Sequence, residues 1–353
     1  MRVRALVGLE AIVTLAGCGW TSEPDALYHI DRTRALGTRV EVVEVGPVWP
    51  ARISGDPDDA PITQAMPGDR VRLSAMIVDA EARALPSEDF DVLWLQCGSG
   101  CTAALPKCRD VDWTSSSNCE LGRGGELEFE IPASFLAIEF GRYEIDTLAI
   151  IALEPDIDAR ACARAWAEAN SELAKCALVH GKVMLGSRWA LLGAKFEAGL
   201  PIDFPIYEVP WPAFAQPANR VPMPGLPSWF DADTGEPLTG EPPRIRAGQR
   251  IRTEGPNWRV ADRQPIVEER LVASVDPFTF VFLGSVEELA VLWYVVDGLS
   301  IVDVFGEEVE LLVDDHVEPG LVRVVMVFGD FRDLVDRRFD SLDFRVIELE
   351  VVE

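Results

Sequence analysis

The feature that most limits how this chain can fold is an order of short segments that occurs twice. "MPGDRVRLSA" (Met66–Ala75) has a counterpart in "RAGQRIRTEG" (Arg246–Gly255), each placing a glycine ahead of a run that alternates Arg with apolar residues. "VLW" occurs at Val92–Trp94 and again at Val291–Trp293. "GELEFEI" (Gly125–Ile131) returns as "GEEVELL" (Gly306–Leu312). "GRYEIDTLAII" (Gly141–Ile151) is matched in position and character by "GLVRVVMVF" (Gly320–Phe328). Each match is slight, but four in one order indicate a duplicated unit. The segments alternate with period two, are rich in Val, Ile, Leu and aromatics, and are bounded by Gly, Pro and Asp, so they predict strands. In "RVRLSAMIV" and "ELEFEI" one face is charged and the other apolar, the pattern of a half-buried antiparallel sheet.

A glycine turn, a strand, then a strand with a central tryptophan resembles the immunoglobulin-like sandwich, in which such a tryptophan packs between the sheets. The resemblance implies that Trp94 and Trp293 are core residues rather than exposed platforms for sugar. The fold class expected is mainly β, with two Ig-like antiparallel β-sandwiches in tandem, the first carrying a cysteine-rich loop and a helical-hairpin insertion. A chain of 353 residues is long enough for two such domains. The divisions are a leader at 1–17, a tether at 18–35, a first sandwich at 36–200 with inserts at 97–125 and 156–181, a Pro-rich linker at 201–222 and a second sandwich at 223–353. Eleven of the 25 prolines lie between Pro201 and Pro243, which favours stiff, extended backbone. "MPGLPSWFDADTGEPL" (Met223–Leu238) is expected to give the edge strand and first turn of the second sandwich, and "FRVIELEVV" (Phe344–Val352) its closing strand.

The first residues have the parts of an export signal: Arg2 and Arg4, a mostly apolar Ala5–Leu15, then the small residues Ala16 and Gly17. The apolar run is shorter than the roughly 20 residues needed to span a bilayer. "LAGC" (Leu15–Cys18) resembles the lipobox of bacterial lipoproteins. That resemblance implies cleavage after Gly17 and a diacylglyceryl group on the Cys18 sulfur, so that lipid holds the protein to the membrane. Gly19, rather than an aspartate, then implies sorting to the outer membrane. With its Ig-like pattern and cysteine-rich insert, the mature chain resembles the Gram-negative exported lipoproteins of unknown function with tandem Ig-like domains.

Six cysteines remain beyond Cys18, an even count that in an exported chain implies disulfides. Cys97, Cys101, Cys108 and Cys119 fall together and are expected to form two bridges of open pairing. Their spacings of three, six and ten intervening residues lack the C-x₂-C knuckles usual in zinc sites. Cys162 and Cys176 are expected to pair with each other. They lie in "DIDARACARAWAEANSELAKCALVHG" (Asp156–Gly181), rich in helix-forming Ala, Glu, Arg and Leu. In one straight helix they would stand about 21 Å apart, whereas a disulfide needs Cα atoms within roughly 7 Å. A fold-back at Asn170–Ser171, giving a stapled helical hairpin, satisfies both demands.

The formal charge is −27, and −28 once the leader is gone. Such a surface repels phosphate backbones, which excludes nucleic acid as a partner. No G-x-S-x-G, H-E-x-x-H or P-loop pattern occurs, and His29, His180 and His316 are scattered. His316, with Asp314 and Asp315, reads as a solvated turn. "GDPDDAP" (Gly55–Pro61) and "DADTGEP" (Asp231–Pro237) cluster oxygens of the kind calcium prefers, but the same residues make turns. A weak calcium site there is the one cofactor entertained. The expected protein is a non-enzymatic binding or structural module of the cell envelope, held to the membrane by its N-terminal lipid. Its partner is expected to be an envelope protein or polysaccharide, met by the cysteine-rich loop with Trp113. The alternative is a secreted hydrolase or carbohydrate-binding subunit, with a site between the cysteine loop and the helical insert.

Overall fold

The computed structural model describes residues 28–46, 61–96, 120–132, 144–168, 171–185, 219–258, 265–271, 280–286, 288–331 and 341–353. The chain is mainly β. Its first half contains β1 (His29–Ile30), β2 (Arg34–Glu44), β3 (Gln64–Ala65), β4 (Arg70–Val78), β5 (Ala84–Leu85), β6 (Asp91–Gln96), β7 (Glu120–Arg123), β8 (Glu126–Glu130), β9 (Glu144–Ala152), the helix α1 (Ala159–Glu168) and β10 (Cys176–Leu185). The second half contains β11 (Trp229–Asp231), β12 (Arg244–Arg246), β13 (Arg250–Thr253), β14 (Pro265–Leu271), β15 (Phe280–Val286), β16 (Glu288–Val296), β17 (Leu299–Phe305), β18 (Glu308–Val313), β19 (Gly320–Phe331) and β20 (Ser341–Val352).

The duplication seen in the sequence extends to the pairing of strands. β2 runs antiparallel to β4 as β11 does to β13. β8 joins β4 as β18 joins β13, and β6 joins β9 as β16 joins β19. β9–β10 and β19–β20 are long hairpin-like ladders. A short strand lies parallel to the last strand in each half, β3 beside β10 and β12 beside β20. The halves differ at their edges: β7 pairs with β6 and β5 with β4 in the first, whereas β1 pairs with β16 and β17 with β18 in the second.

Each half closes around its own apolar core, because alternation sends every second side chain of both sheets inward. Val71, Leu73, Val92, Trp94, Ile131, Ala149, Ile151 and Val183 belong to the first core. Ile251, Trp293, Leu311, Val313, Val324, Met326, Leu349 and Val351 belong to the second. The glycines ahead of β4 and β13, Gly68 and Gly248, have φ of 91° and 73°. That left-handed conformation strains any residue with a Cβ, which explains a glycine at this point in both repeats.

The tryptophans occupy equivalent places. Trp94 is 0% exposed and donates its indole N–H to the Gly124 carbonyl at 2.8 Å. Trp293 is 2% exposed and donates to the Glu307 carbonyl at 3.1 Å. The match between "GELEFEI" and "GEEVELL" moves by one residue. Arg72 faces Glu128 and the equivalent Arg252 faces Glu310, which sets Gly124 rather than Gly125 level with Gly306. The apolar face decides the register: Leu127, Phe129 and Ile131 then coincide with Val309, Leu311 and Val313.

Two segments differ from expectation. Residues 18–35 read as a tether, yet His29–Ile30 form β1, parallel to β16, and Arg34 already begins β2. A two-residue strand is too short to leave a periodic signature. Ile30 is fully buried in a third apolar cluster with Val78, Ala82, Tyr294, Val296, Val325 and Val327, which joins the two halves. An Arg39–Asp343 ion pair crosses the same junction. Ile30→Ala is therefore expected to cost about 2 kcal/mol in urea unfolding. A change within about 0.5 kcal/mol, the usual effect at a free surface position, would mean that this segment is a tether after all.

The second difference is the helical hairpin. The segment instead has the one helix α1, a 3-10 turn at Ser171–Lys175, and then β10, which begins at Cys176 itself. The reason lies in "CALVHGKVML": its alternating half-buried residues pair with β9 from Cys176↔Ala152 to Met184↔Glu144. Sheet pairing thus overrides helix propensity there.

Candidate functional site

The face of the first half that carries α1 holds the two predicted site residues that lie among the described ones, Cys162 and Cys176. β6 ends at Gln96 and β7 starts at Glu120, so the cysteine-rich stretch leaves and re-enters the sheet beside this face. β6 and β9 are apolar on both sides, as "VLWLQ" and "TLAIIA" show. Val92, Trp94, Ala149 and Ile151 point into the first core. Leu93, Leu95, Leu148 and Ile150 point outward, where they are covered by Ala159, Cys162, Ala163 and Trp166 of α1. The helix is thus a lid on an apolar sheet face, made from its Ala-rich side.

Three devices fix it. Asp158 caps it, accepting the Ala161 N–H on Oδ1 at 2.6 Å. Asp91, at the start of β6, accepts the Ala159 N–H at 2.8 Å and the Arg123 guanidinium at 2.8 and 2.6 Å. Cys162 and Cys176 form the expected disulfide, with Cα atoms 5.7 Å apart, tying the first turn of the helix to the first residue of β10. Arg160 reaches Glu120 at 3.5 Å, linking the helix to the residue at which the cysteine-rich stretch returns.

The Arg123 hydrogen bond and the Ala159 amide together hold the Asp91 carboxyl below its ordinary value, against a smaller opposing effect of burial. A carboxylate with a lowered folded-state pKa adds stability above its unfolded pKa, and this is lost as pH falls through the folded value. Asp91→Asn is accordingly expected to cost about 1 kcal/mol at neutral pH, limited by partial exposure of both partners. The difference from wild type should shrink as pH falls from neutral through and below the ordinary carboxylate range. Unfolding midpoints of the two proteins measured across that range check it; a difference independent of pH would contradict the assignment.

The other expected residues distribute as follows. Cys18, Cys97, Cys101, Cys108, Cys119 and Trp113 lie outside the described residues, as do residues 55–60 of the first acidic loop. In the second acidic loop the oxygens serve the turn itself. Asp231 Oδ1 accepts the Asp233 and Thr234 amides at 3.0 and 2.8 Å, Oδ2 accepts Gln249 at 2.7 Å, and Asp233 faces Arg250 at 3.4 Å. Among the described residues no group of three or more His, Cys, Asp and Glu side chains is placed to hold a metal ion. His29 meets Asp297 at 3.3 Å, His180 stands within β10, and His316 is exposed in the turn after β18. No helix among the described residues is long and apolar enough to cross a membrane.

Asp91, Arg123, Arg160 and Glu120 carried no signal in the sequence beyond their charge, because their meeting depends on strands far apart in the chain. Asp158 had one: an aspartate ahead of an Ala-rich run is a helix start.

No model of a protein family matches this chain, and no curated protein matches it. Among solved structures, dimeric latent PorU from Porphyromonas gingivalis is 9% identical over 90% of this chain and 24% of its own, with a TM-score of 0.18. Escherichia coli alpha-2-macroglobulin activated by porcine elastase is 10% identical over 91% of this chain and 22% of its own, also at 0.18. The C-terminal domain of the Streptococcus agalactiae polypeptide BspA is 8% identical over 89% of this chain and 99% of its own, at 0.16. The chain spans about a quarter of the length of the first two. Likenesses at these scores carry nothing about function.

Proposed function

We propose that this is a lipid-anchored protein of the bacterial cell envelope, a non-enzymatic binding or structural module built from two Ig-like sandwiches in tandem. The observation that carries the reading is the Cys162–Cys176 bridge, in a chain with four further cysteines grouped within 97–119. Such cysteine use suits a chain folded outside the reducing cytoplasm, which is where the "LAGC" box at Leu15–Cys18 would send it. The recurrence of the same strand pairings, each around a buried tryptophan, supports the tandem Ig-like reading. The helix lid and the returning β7 give the cysteine-rich loop a rigid base, as a binding loop requires.

The test of binding uses the soluble chain from Gly19 onward, immobilised and washed with envelope extract. Retention of one defined protein or polysaccharide, lost when the 97–125 loop is exchanged for a short turn, is the expected result. Retention that survives the exchange, or turnover of a bound glycan or peptide, would contradict the proposal.

A further inference from the structure

β17 is an edge strand among the described residues, in the order β11-β13-β18-β17. Exposed edges attract other chains, and proteins usually blunt them. This one is only partly blunted. Val302, Val304 and Phe305 are 48%, 46% and 60% exposed, three apolar side chains on one short strand. A bulge between Ile301 and Asp303 interrupts the ladder to β18. At the bulge, Asp303 accepts the amide of Val304 on Oδ1 at 2.8 Å. Val304 thus directs its N–H away from β18, and the Asp303 side chain occupies it.

Asp303 decides what can dock. A second copy pairing antiparallel about this centre would set Val302 against Val304 favourably but would place Asp303 opposite Asp303. Like charges directly opposed destabilise a strand pair, and a chain of charge −27 adds general repulsion. The nearby carboxylates Glu307 and Glu308 reinforce the same sign, with Glu308 exposed. A cationic residue at that position would instead draw Asp303 away and release the Val304 amide to the incoming strand.

We propose that β17 is a docking edge for an extended segment of another protein, one whose apolar side chains flank a Lys or Arg placed opposite Asp303. The segment adds as a fifth strand to the β11-β13-β18-β17 sheet. Asp303 acts as its gate, blocking self-pairing while selecting a basic partner. This inference is independent of the lipid anchor and of the cysteine-rich loop.

The test uses the purified full chain and two synthetic fluorescent pentapeptides, Val-Val-Arg-Val-Phe and Val-Val-Glu-Val-Phe, read by anisotropy. The Arg peptide is expected to bind wild type and the Glu peptide to bind at least about fivefold more weakly. Asp303→Lys should reverse the order, and Phe305→Ser, at an exposed position, should weaken both peptides. Asp303→Ala is expected to self-associate in sedimentation, whereas wild type stays monomeric. Equal binding of both peptides, no binding, or failure of Asp303→Lys to reverse the preference would overturn the proposal. So would a wild-type dimer that Phe305→Ser dissolves, which would assign the edge to a second copy.

Discussion

Trp94→Ala is expected to cost about 3–5 kcal/mol of folding stability, the range for removing a large aromatic from a packed interior. The indole stands between the sheets against Val71, Leu73, Ile131 and Ile151, and no solvent reaches it. Deleting it removes that burial and leaves a cavity the surrounding strands cannot collapse into, because each is fixed by ladders on its neighbours. The Gly124 carbonyl also loses the indole N–H. Trp94→Phe separates the two effects, keeping most of the volume and losing the hydrogen bond, worth about 1 kcal/mol. Trp293→Ala should fall in the same range, since its ring is equally enclosed and meets Trp229 edge-on at 6.0 Å. Urea unfolding followed by tryptophan fluorescence and circular dichroism gives these values. A loss under about 1 kcal/mol at either position would show that the ring is not a core residue.

Breaking the Cys162–Cys176 bridge has the next largest effect. The two residues are 14 apart in sequence, a loop for which cross-linking stabilises by about 3 kcal/mol, chiefly through the unfolded chain. The doubly substituted Cys162→Ser, Cys176→Ser protein should lose about that much. The loss should be local first. α1 rests on the β6–β9 face through Ala159, Cys162, Ala163 and Trp166 and is held by the bridge and the Asp91 contacts. Amides of residues 159–168 are therefore expected to lose hydrogen-exchange protection, while those of β4 and β9 keep theirs. Uniform loss across the first half would contradict this picture of a separately fastened lid.

What the sequence revealed and what it hid divide along a physical line. Strands such as β4, β8 and β18 were legible because period-two alternation is local. The pairing of Cys162 with Cys176 was legible because chain geometry left few choices. β1, β3 and β12 were not, since each has two or three residues, and their parallel partners lie far along the chain. The one-residue misregister of "GELEFEI" arose from matching glycines, where the fold matches apolar faces. The helical hairpin failed because Ala and Leu before Cys176 suit a helix, but the alternation after it commits the cysteine to a strand. Least visible were the junction cluster of Ile30, Tyr294 and Val325 and the Asp91–Arg123–Ala159 network, which exist only once distant strands are in place.

The claim on which the proposed role depends is that the protein works outside the cytoplasm, held by lipid at Cys18. Mass spectrometry of the native polypeptide, extracted from the cells that make it and left unreduced, tests this directly. The account predicts an N-terminus at Cys18 carrying diacylglycerol and acyl mass, with Cys162 linked to Cys176. A polypeptide beginning at Met1, unlipidated and with both thiols free, would contradict it.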